Sequence, residues 1–368
     1  MEEEARLLDE HLALAALLRA KGVGGATALK LREAFGSWRA ALTASADAYL
    51  AQKLGKLAGG VAKARREAPA FEEQLRMACD KKAIRMIAYG DADYPPYLAE
   101  IFAPPLLLYV RGTLVPDAER IAMVGSRRFS KYGEGVAQSF GEALARGGFT
   151  VVSGAARGID SASHRGALKA GRTEAVLGCG VDVVYPPENG KLLAEIAEHG
   201  AVISEYPPGT PPLPAYFPLR NRIISGLSRG TIVVEAAERS GSLITAEQAL
   251  QEGRDVFAVP GSIYSTTSQG CHRLIQQGAK LVTSAADVLV EYGIEPQAKP
   301  KKKLPAMSKE EREVYQVLSN DHPLSADEIL ISLKKDDASS LSFLLLQMEL
   351  KGLVEETSAH RYVRVTPT

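Results

Sequence analysis

Cysteine is scarce: Cys79, Cys179 and Cys271 are the whole set in 368 residues. An odd, widely spaced trio builds neither a disulfide framework nor a zinc site, which points to a reducing compartment, the cytoplasm. An excess of either charge is missing too. The 44 Lys and Arg face 44 Asp and Glu, so the chain as a whole cannot draw polyanions by bulk charge. The longest apolar run, residues 101–110, holds two prolines and is too short and too broken to cross a bilayer. The acidic start, Met-Glu-Glu-Glu, is unlike the basic end of a secretion signal. No G-x-x-x-x-G-K-[ST] occurs, and no G-x-G-x-x-G follows the first strand of the central region. A P-loop ATPase and an ordinary dinucleotide enzyme are therefore not expected. The six histidines are scattered, and Ser153 and Ser242 have no evident His/Asp partners. No metal, cofactor or catalytic residue is expected, and no membrane contact.

What is present is an ordinary globular composition, 46% hydrophobic, long enough for two or three domains. Charge is unevenly placed. Residues 1–90 balance to +4, residues 91–295 to −4, residues 296–307 carry four lysines and no acid, and residues 308–368 balance to −4.

Residues 1–83 read as a helical domain. Leu7, Leu8, His11, Leu12, Ala15 and Leu18 recur at helix spacing. The turn Lys21-Gly22-Val23-Gly24-Gly25-Ala26 then leads to a second helical stretch, 28–35. This is a helix-hairpin-helix, SAM-like pattern. Such a turn can hold one phosphate on its backbone N–H groups, or it can be a plain connection in a small helical bundle.

From residue 84 to 295, strand-length apolar runs at 121–124, 150–153, 174–177, 183–185, 202–204, 231–234, 256–259 and 281–283 alternate with amphipathic stretches at 132–146, 161–170, 190–198, 243–251 and 271–277. Unbroken apolar strands between helices predict an α/β fold, a Rossmann-like doubly wound, mostly parallel sheet covered on both faces. Its ligands belong at the carboxyl ends of the strands. Residues 296–307 read as a Pro/Lys linker. Residues 308–368 read as a C-terminal winged helix: helices at 309–318, 326–333 and 340–351, then a hairpin from 353–356 to 362–365.

Small, polar and basic residues gather at the predicted strand ends: Gly125-Ser126-Arg127-Arg128, Ser153-Gly154-Ala155-Ala156-Arg157-Gly158-Ile159-Asp160, Phe217-Pro218-Leu219-Arg220-Asn221-Arg222 and Ser240-Gly241-Ser242. Glycine lets backbone approach a ligand, helix N-termini and serines donate to phosphate, and arginine forks phosphate oxygens. Phe217 can stack on a base or fill a core. Asp160 reads as a helix-terminal or arginine-orienting carboxylate. A catalytic role for it needs a second carboxylate, Glu205 or Glu235.

These segments, with Tyr94-Pro95, Tyr185-Pro186, Glu188-Asn189, Ser204-Glu205, Glu235-Ala236, Val259-Pro260-Gly261 and Gly278-Ala279, resemble the DNA-processing protein A (DprA/Smf) family. The resemblance is dense over residues 94–283. It implies sequence-independent binding and protection of single-stranded DNA and loading of the RecA recombinase in natural transformation, without enzymatic activity. It places the DNA pocket on Ser126 with Arg127, the Gly154–Gly158 turn, and Phe217 with Asn221. A homodimer or RecA contact is implied at His272, Ile275, Gln276 and Leu281. His272 departs from the asparagine common in the family, and Pro214 lies near a position where some relatives carry lysine. The competing reading is an enzyme of the nucleotide phosphoribohydrolase type on the same sheet. Against it, Glu235 is followed by Ala236-Ala237 and Ser240-Gly241-Ser242 rather than a Pro-Gly-Gly-x-Gly-Thr turn.

Overall fold

The computed structural model describes residues 2–296, 305–320, 322–334, 338–357 and 360–365. Two compact units divide the chain, Met1–Pro296 and Gln297–Thr368. Most of the expected linker, 297–304, lies outside the described residues.

The first unit begins with helices α1 (Glu2–Leu18), α2 (Gly25–Phe35), α3 (Trp38–Thr43), α4 (Ala46–Ala51) and α5 (Gly55–Lys82). The glycine-rich segment expected as a turn joins α1 to α2. Every residue from His11 to Leu17 is buried, so the second half of α1 is enclosed on all sides rather than along one stripe, whereas its first two turns are exposed. Leu12, Leu17, Trp38 and Val61 of these helices share a continuous core with Leu107, Tyr109, Leu193 and Val202.

That second group belongs to the central α/β layer. Its strands are β1 (Ile84–Ala88), β2 (Leu107–Gly112), β3 (Arg120–Val124), β4 (Thr150–Ser153), β5 (Thr173–Val176), β6 (Ala201–Ser204), β7 (Gly230–Val233), β8 (Asp255–Ala258) and β9 (Lys280–Leu281). Its helices are α6 (Pro96–Ala99), α7 (Lys131–Arg146), α8 (Ile159–Leu168), α9 (Gly190–His199), α10 (Tyr216–Gly226), α11 (Gly241–Gln251), α12 (Gln269–Gln276) and α13 (Ala285–Glu291). Among the described residues the nine strands form one sheet in the order β1-β2-β6-β5-β4-β3-β7-β8-β9. All pairings from β6 through β9 are parallel, whereas β2 is antiparallel to both β1 and β6. The strands of the centre are buried on both faces: every residue of β3, β4, β5, β6 and β7 is inaccessible. Burying each large apolar side chain there contributes roughly 1.5–3 kcal/mol.

The fold class matches the expectation. Two details differ. Residues 183–185 form no strand: the Val183 N–H closes a turn by donating to Gly180 O at 2.9 Å, and Pro186 and Pro187 follow Tyr185 at once. Strands β1 and β2 were not among the expected runs.

The second unit has α14 (Lys309–Val317), α15 (Ala326–Leu333) and α16 (Ala338–Leu350), with β10 (Leu324–Ser325), β11 (Val354–Thr357) and β12 (Arg361–Arg364) in the antiparallel order β10-β12-β11. Val314, Ile329, Leu345, Met348 and Leu353 form its core. This is the winged-helix layout that the sequence predicts. No helix among the described residues is long and apolar enough to cross a membrane.

Candidate nucleic-acid interface

Strand order reverses at β3. From it the chain builds outward through β4, β5 and β6 on one side and through β7, β8 and β9 on the other. Loops leaving β3 and β7 diverge there, and the crevice between them is the standard ligand site of an open α/β sheet. A cleft of about 730 Å³ opens at this point. All four of the small, polar and basic segments contribute to it: Gly125 to Arg128, then Ala156 and Asp160, then Phe217, Pro218, Arg220 and Asn221, then Ser240 to Ser242.

The loop after β3 is shaped by Ser126, whose hydroxyl accepts from the Arg128 N–H at 3.1 Å while its own N–H donates to Glu235 O at 2.7 Å. Gly158 presses against this loop with φ +84°, and a Cβ there would lie 2.3 Å from Ser126 O. Only glycine allows that approach. The loop leaves Arg127 and Arg128 exposed. The Arg127 guanidinium lies 5.6 Å from the centroid of the Phe217 ring. Phe217 is half-buried and packs at a tilt against Tyr185, 5.3 Å between centroids.

Arg220 has a different place. It is 3% exposed and donates to Gly154 O at 3.0 Å and to Val176 O. Burial pushes its guanidinium down to about 10, opposed by the nearby Asp160. It therefore stays charged at neutral pH. Asp160 is buried too; burial raises its carboxyl above the usual range, and Arg220 pulls it back. A Cβ on Gly154 would fall 2.7 Å from both Arg220 Nη2 and Asp160 Oδ2, so glycine makes room for the pair. Arg220 and Asp160 form the floor on which the exposed residues stand.

Gly154, Arg157, Gly158 and Arg222 do not line the cleft directly. Arg222 pairs with Glu205 at 2.6 Å. Arg157 forks the Glu188 carboxylate, with Nη2 3.1 Å from Oε2. The Arg157 contact holds the Glu188 carboxyl below the usual carboxylate range. Polar lining residues that the sequence reading did not place in the pocket include Tyr185, Arg239, Thr266 and Thr267. Arg239 directly precedes Ser240, and that adjacency was a readable signal.

The two helices that start beside the switch point are treated oppositely. The α7 N-terminus is closed by Glu235, whose carboxylate accepts from Ser130 N at 2.9 Å and Ser130 Oγ at 2.6 Å, and from Thr267 Oγ1 at 3.1 Å. The α11 N-terminus opens into the cleft behind Ser240, whose Oγ lies 2.7 Å from Ser242 Oγ. Ser240 caps this end, its Oγ accepting from Ser242 N–H at 3.4 Å and its carbonyl from Leu243 N–H at 3.1 Å, and the positive dipole end of the helix favours an anion. Arg127, Arg128 and Arg239 are exposed and have no ion pair among the described residues. Glu205 and Glu235, the candidate second carboxylates for Asp160, do not line the cleft. Among the described residues no group of three or more His, Cys, Asp or Glu is placed to hold a metal ion.

The remaining predicted contacts lie on and beside α12. His272 Nε2 is 3.0 Å from Gly261 O. Ile275 packs partly against the core, Gln276 is exposed, and Leu281 is 47% exposed on β9, the sheet's edge strand.

A doubly wound α/β protein with a cationic, partly aromatic cleft at its switch point is what the fold and site define. Residues 85–293 match the family model of DNA recombination-mediator protein A. The DNA processing protein DprA of Streptococcus pneumoniae is 52% identical over 204 residues, 55% of this chain and 72% of that protein. Its Bacillus subtilis counterpart is 45% identical over 214 residues, covering 57% and 72%. Among solved structures, the S. pneumoniae DprA superposes with a TM-score of 0.57 at 40% identity, over 73% of this chain and 98% of that one. Helicobacter pylori DprA, described for its single-stranded DNA binding mode, superposes with a TM-score of 0.52 at 27% identity, over 57% and 95%. The chain belongs to the DNA recombination-mediator protein A family.

Proposed function

We propose that the cleft binds single-stranded DNA without regard to sequence, protects it and passes it to the RecA recombinase in transformation and recombination. The observation that carries this reading is the Arg127 cation, without an ion pair among the described residues, over the half-buried Phe217 ring and beside the α11 N-terminus that faces the cleft. Phosphates suit the arginines and helix end. The ring suits any base, because every base has a π-face. Duplex bases already stack on one another, so only an unpaired strand offers Phe217 a free face. The H. pylori relative supports the choice of ligand. In this reading the role is binding, not catalysis. Hydrolysis of a nucleotide draws no support from Glu235, which is committed to the α7 N-terminus.

The test is binding of single- and double-stranded oligonucleotides across a salt series. Single strands are expected to bind more tightly, with affinity falling steadily as salt rises. Arg127→Ala is expected to weaken binding and reduce the salt slope by about one. Phe217→Ala is expected to cost roughly 1–3 kcal/mol. Both variants binding like the parent chain would sink the reading.

The same proposal pairs two copies through β9 and α12. An exposed edge strand with an apolar residue such as Leu281 invites edge-to-edge pairing, and a two-fold axis makes that patch complementary to itself. His272, Ile275 and Gln276 flank the edge and form the surface shared with RecA. Sedimentation of the full chain as a monomer at working concentration would remove the dimer.

A further inference from the structure

We propose that the cleft continues beyond Phe217 to a second base-stacking subsite on Tyr185, with Arg157 as its phosphate contact and Glu188 as a carboxylate latch that the DNA phosphate displaces. The inference rests on the single-stranded DNA reading above.

Tyr185 lines the cleft and is 36% exposed. Its ring meets Phe217 at 37° with 5.3 Å between centroids. The two rings are tilted rather than stacked flush, so packing against Phe217 does not consume the Tyr185 ring. Its hydroxyl has no hydrogen-bond partner among the described residues, so the ring is not held there by a polar anchor. Adjacent aromatic rings of this kind receive successive bases of a strand.

Arg157 belongs to the same wall. It follows the lining residue Ala156, and Glu188 follows Tyr185 by three residues. Asn189 ties the two loops into one element: its Nδ2 donates to Ala155 O at 2.9 Å and Ser161 Oγ at 2.8 Å. The loops that carry Tyr185 and Arg157 are therefore joined through Asn189. The Arg157 and Glu188 side chains are 63% and 49% exposed. An exposed pair of this type is weak. A phosphate offers the guanidinium the same two-oxygen fork as the carboxylate, so exchange of one for the other keeps Arg157 satisfied. Until the exchange, Glu188 both occupies Arg157 and repels the incoming backbone. Unlike Arg127, Arg128 and Arg239, this arginine is held in reserve.

The experiment uses the full chain with fluorescently labelled oligothymidylates, short and long. Tyr185→Ala is expected to weaken binding of the long oligomer about five- to tenfold, with little change for the shortest that binds. Tyr185→Phe is expected to restore the parent affinity. Glu188→Gln, a conservative surface change, is expected to strengthen binding about threefold and to steepen the salt slope. That gain is expected to vanish when Arg157→Ala is combined with it. A merely structural ion pair would instead give unchanged or weaker binding in Glu188→Gln. Parent-like binding by Tyr185→Ala, or no gain in Glu188→Gln, overturns the proposal. If Phe217→Ala weakens binding while those two variants do nothing, the extension alone falls. If the parent chain binds no single strand, the underlying reading falls with it.

Discussion

Strand β3 has an arginine near each end, and the two have opposite fates. At its amino end Arg120 is 2% exposed and pairs with Glu174, which is fully buried, through Nε at 2.8 Å and Nη2 at 3.1 Å. Its remaining donors reach Pro116 O at 2.9 Å, Ala118 O at 3.0 Å and Val115 O. Just past its carboxyl end Arg127 is exposed, without an ion pair among the described residues, above an aromatic ring. One end of the sheet is sealed with complementary charge; the other exposes arginines without ion pairs among the described residues. A guanidinium stabilises a fold where every donor is satisfied and attracts a ligand where none is. Arg220 shows that the carboxyl end uses both kinds, a buried cation supporting the exposed ones.

The comparison breaks most visibly at Arg120. Arg120→Ala leaves the Glu174 carboxylate buried without its partner, and the expected loss of stability is about 3–5 kcal/mol, read by urea unfolding. Affinity of the folded protein for single-stranded DNA should be unchanged. Arg127→Ala should do the reverse, moving stability by no more than about 0.5 kcal/mol while weakening binding. A large drop in binding by folded Arg120→Ala would dissolve the distinction between the two ends.

The sealed end also carries a pH signature. His164 is buried with Nδ1 2.7 Å from Thr173 Oγ1, and burial pushes its imidazole down to about 3 from 6.5. Between those values the unfolded chain takes up a proton that the folded chain refuses. The stability contribution is therefore complete above pH 6.5 and is lost as pH falls through that window. Its slope is about 1.4 kcal/mol per pH unit, or about 2 kcal/mol by pH 5. His164→Gln should flatten the stability profile by that amount between pH 6.5 and 5. An identical slope in both proteins would mean that the imidazole is protonated in the fold.

Much of this architecture was legible in the sequence because the central strands are buried on both faces. Continuous runs such as Ile121-Ala122-Met123-Val124 leave no room for another period. Strand β1 was not legible, since its burial is broken by the exposed Arg85 and half-buried Met86. Strand β2 was hidden inside a longer apolar run with prolines. The cleft was legible as four segments, because all four fall at predicted strand ends, where an open α/β sheet takes its ligands. What composition could not separate was the role of each arginine. Arg127, Arg220 and Arg222 look alike as letters. The side-chain space left by Gly154, the carboxylate of Glu205 and the carbonyl of Val176 decide which is sunk, which is paired and which stays free.

The smallest effect is expected from the second unit, which sharpens the comparison from outside the sheet. A helix that reads a groove presents Arg, Lys, Asn or Gln to bases and cations to phosphates. Helix α16 instead exposes Phe343, Leu346 and Leu350, three and four residues apart and so on one face. The two wing arginines are engaged within their own unit. Arg361 lies 3.2 Å from Glu328, and Arg364 donates to Asn320 Oδ1 at 2.9 Å with its guanidinium over Tyr315. Residues 308–368 balance to −4, and such a surface repels a polyanion. An apolar stripe in an acidic setting fits a protein contact better than a nucleic acid. Ending the chain at Pro296, where the first compact unit closes, should therefore leave single-strand affinity close to that of the full chain. The measurement is a paired titration of both proteins at one salt concentration, with circular dichroism to confirm that the shortened chain is folded. Loss of most of the affinity in a folded, shortened chain would mean that the winged helix, despite its charge, or the four lysines of residues 299–303 removed with it hold DNA, and that the unpaired arginines of the cleft are not sufficient.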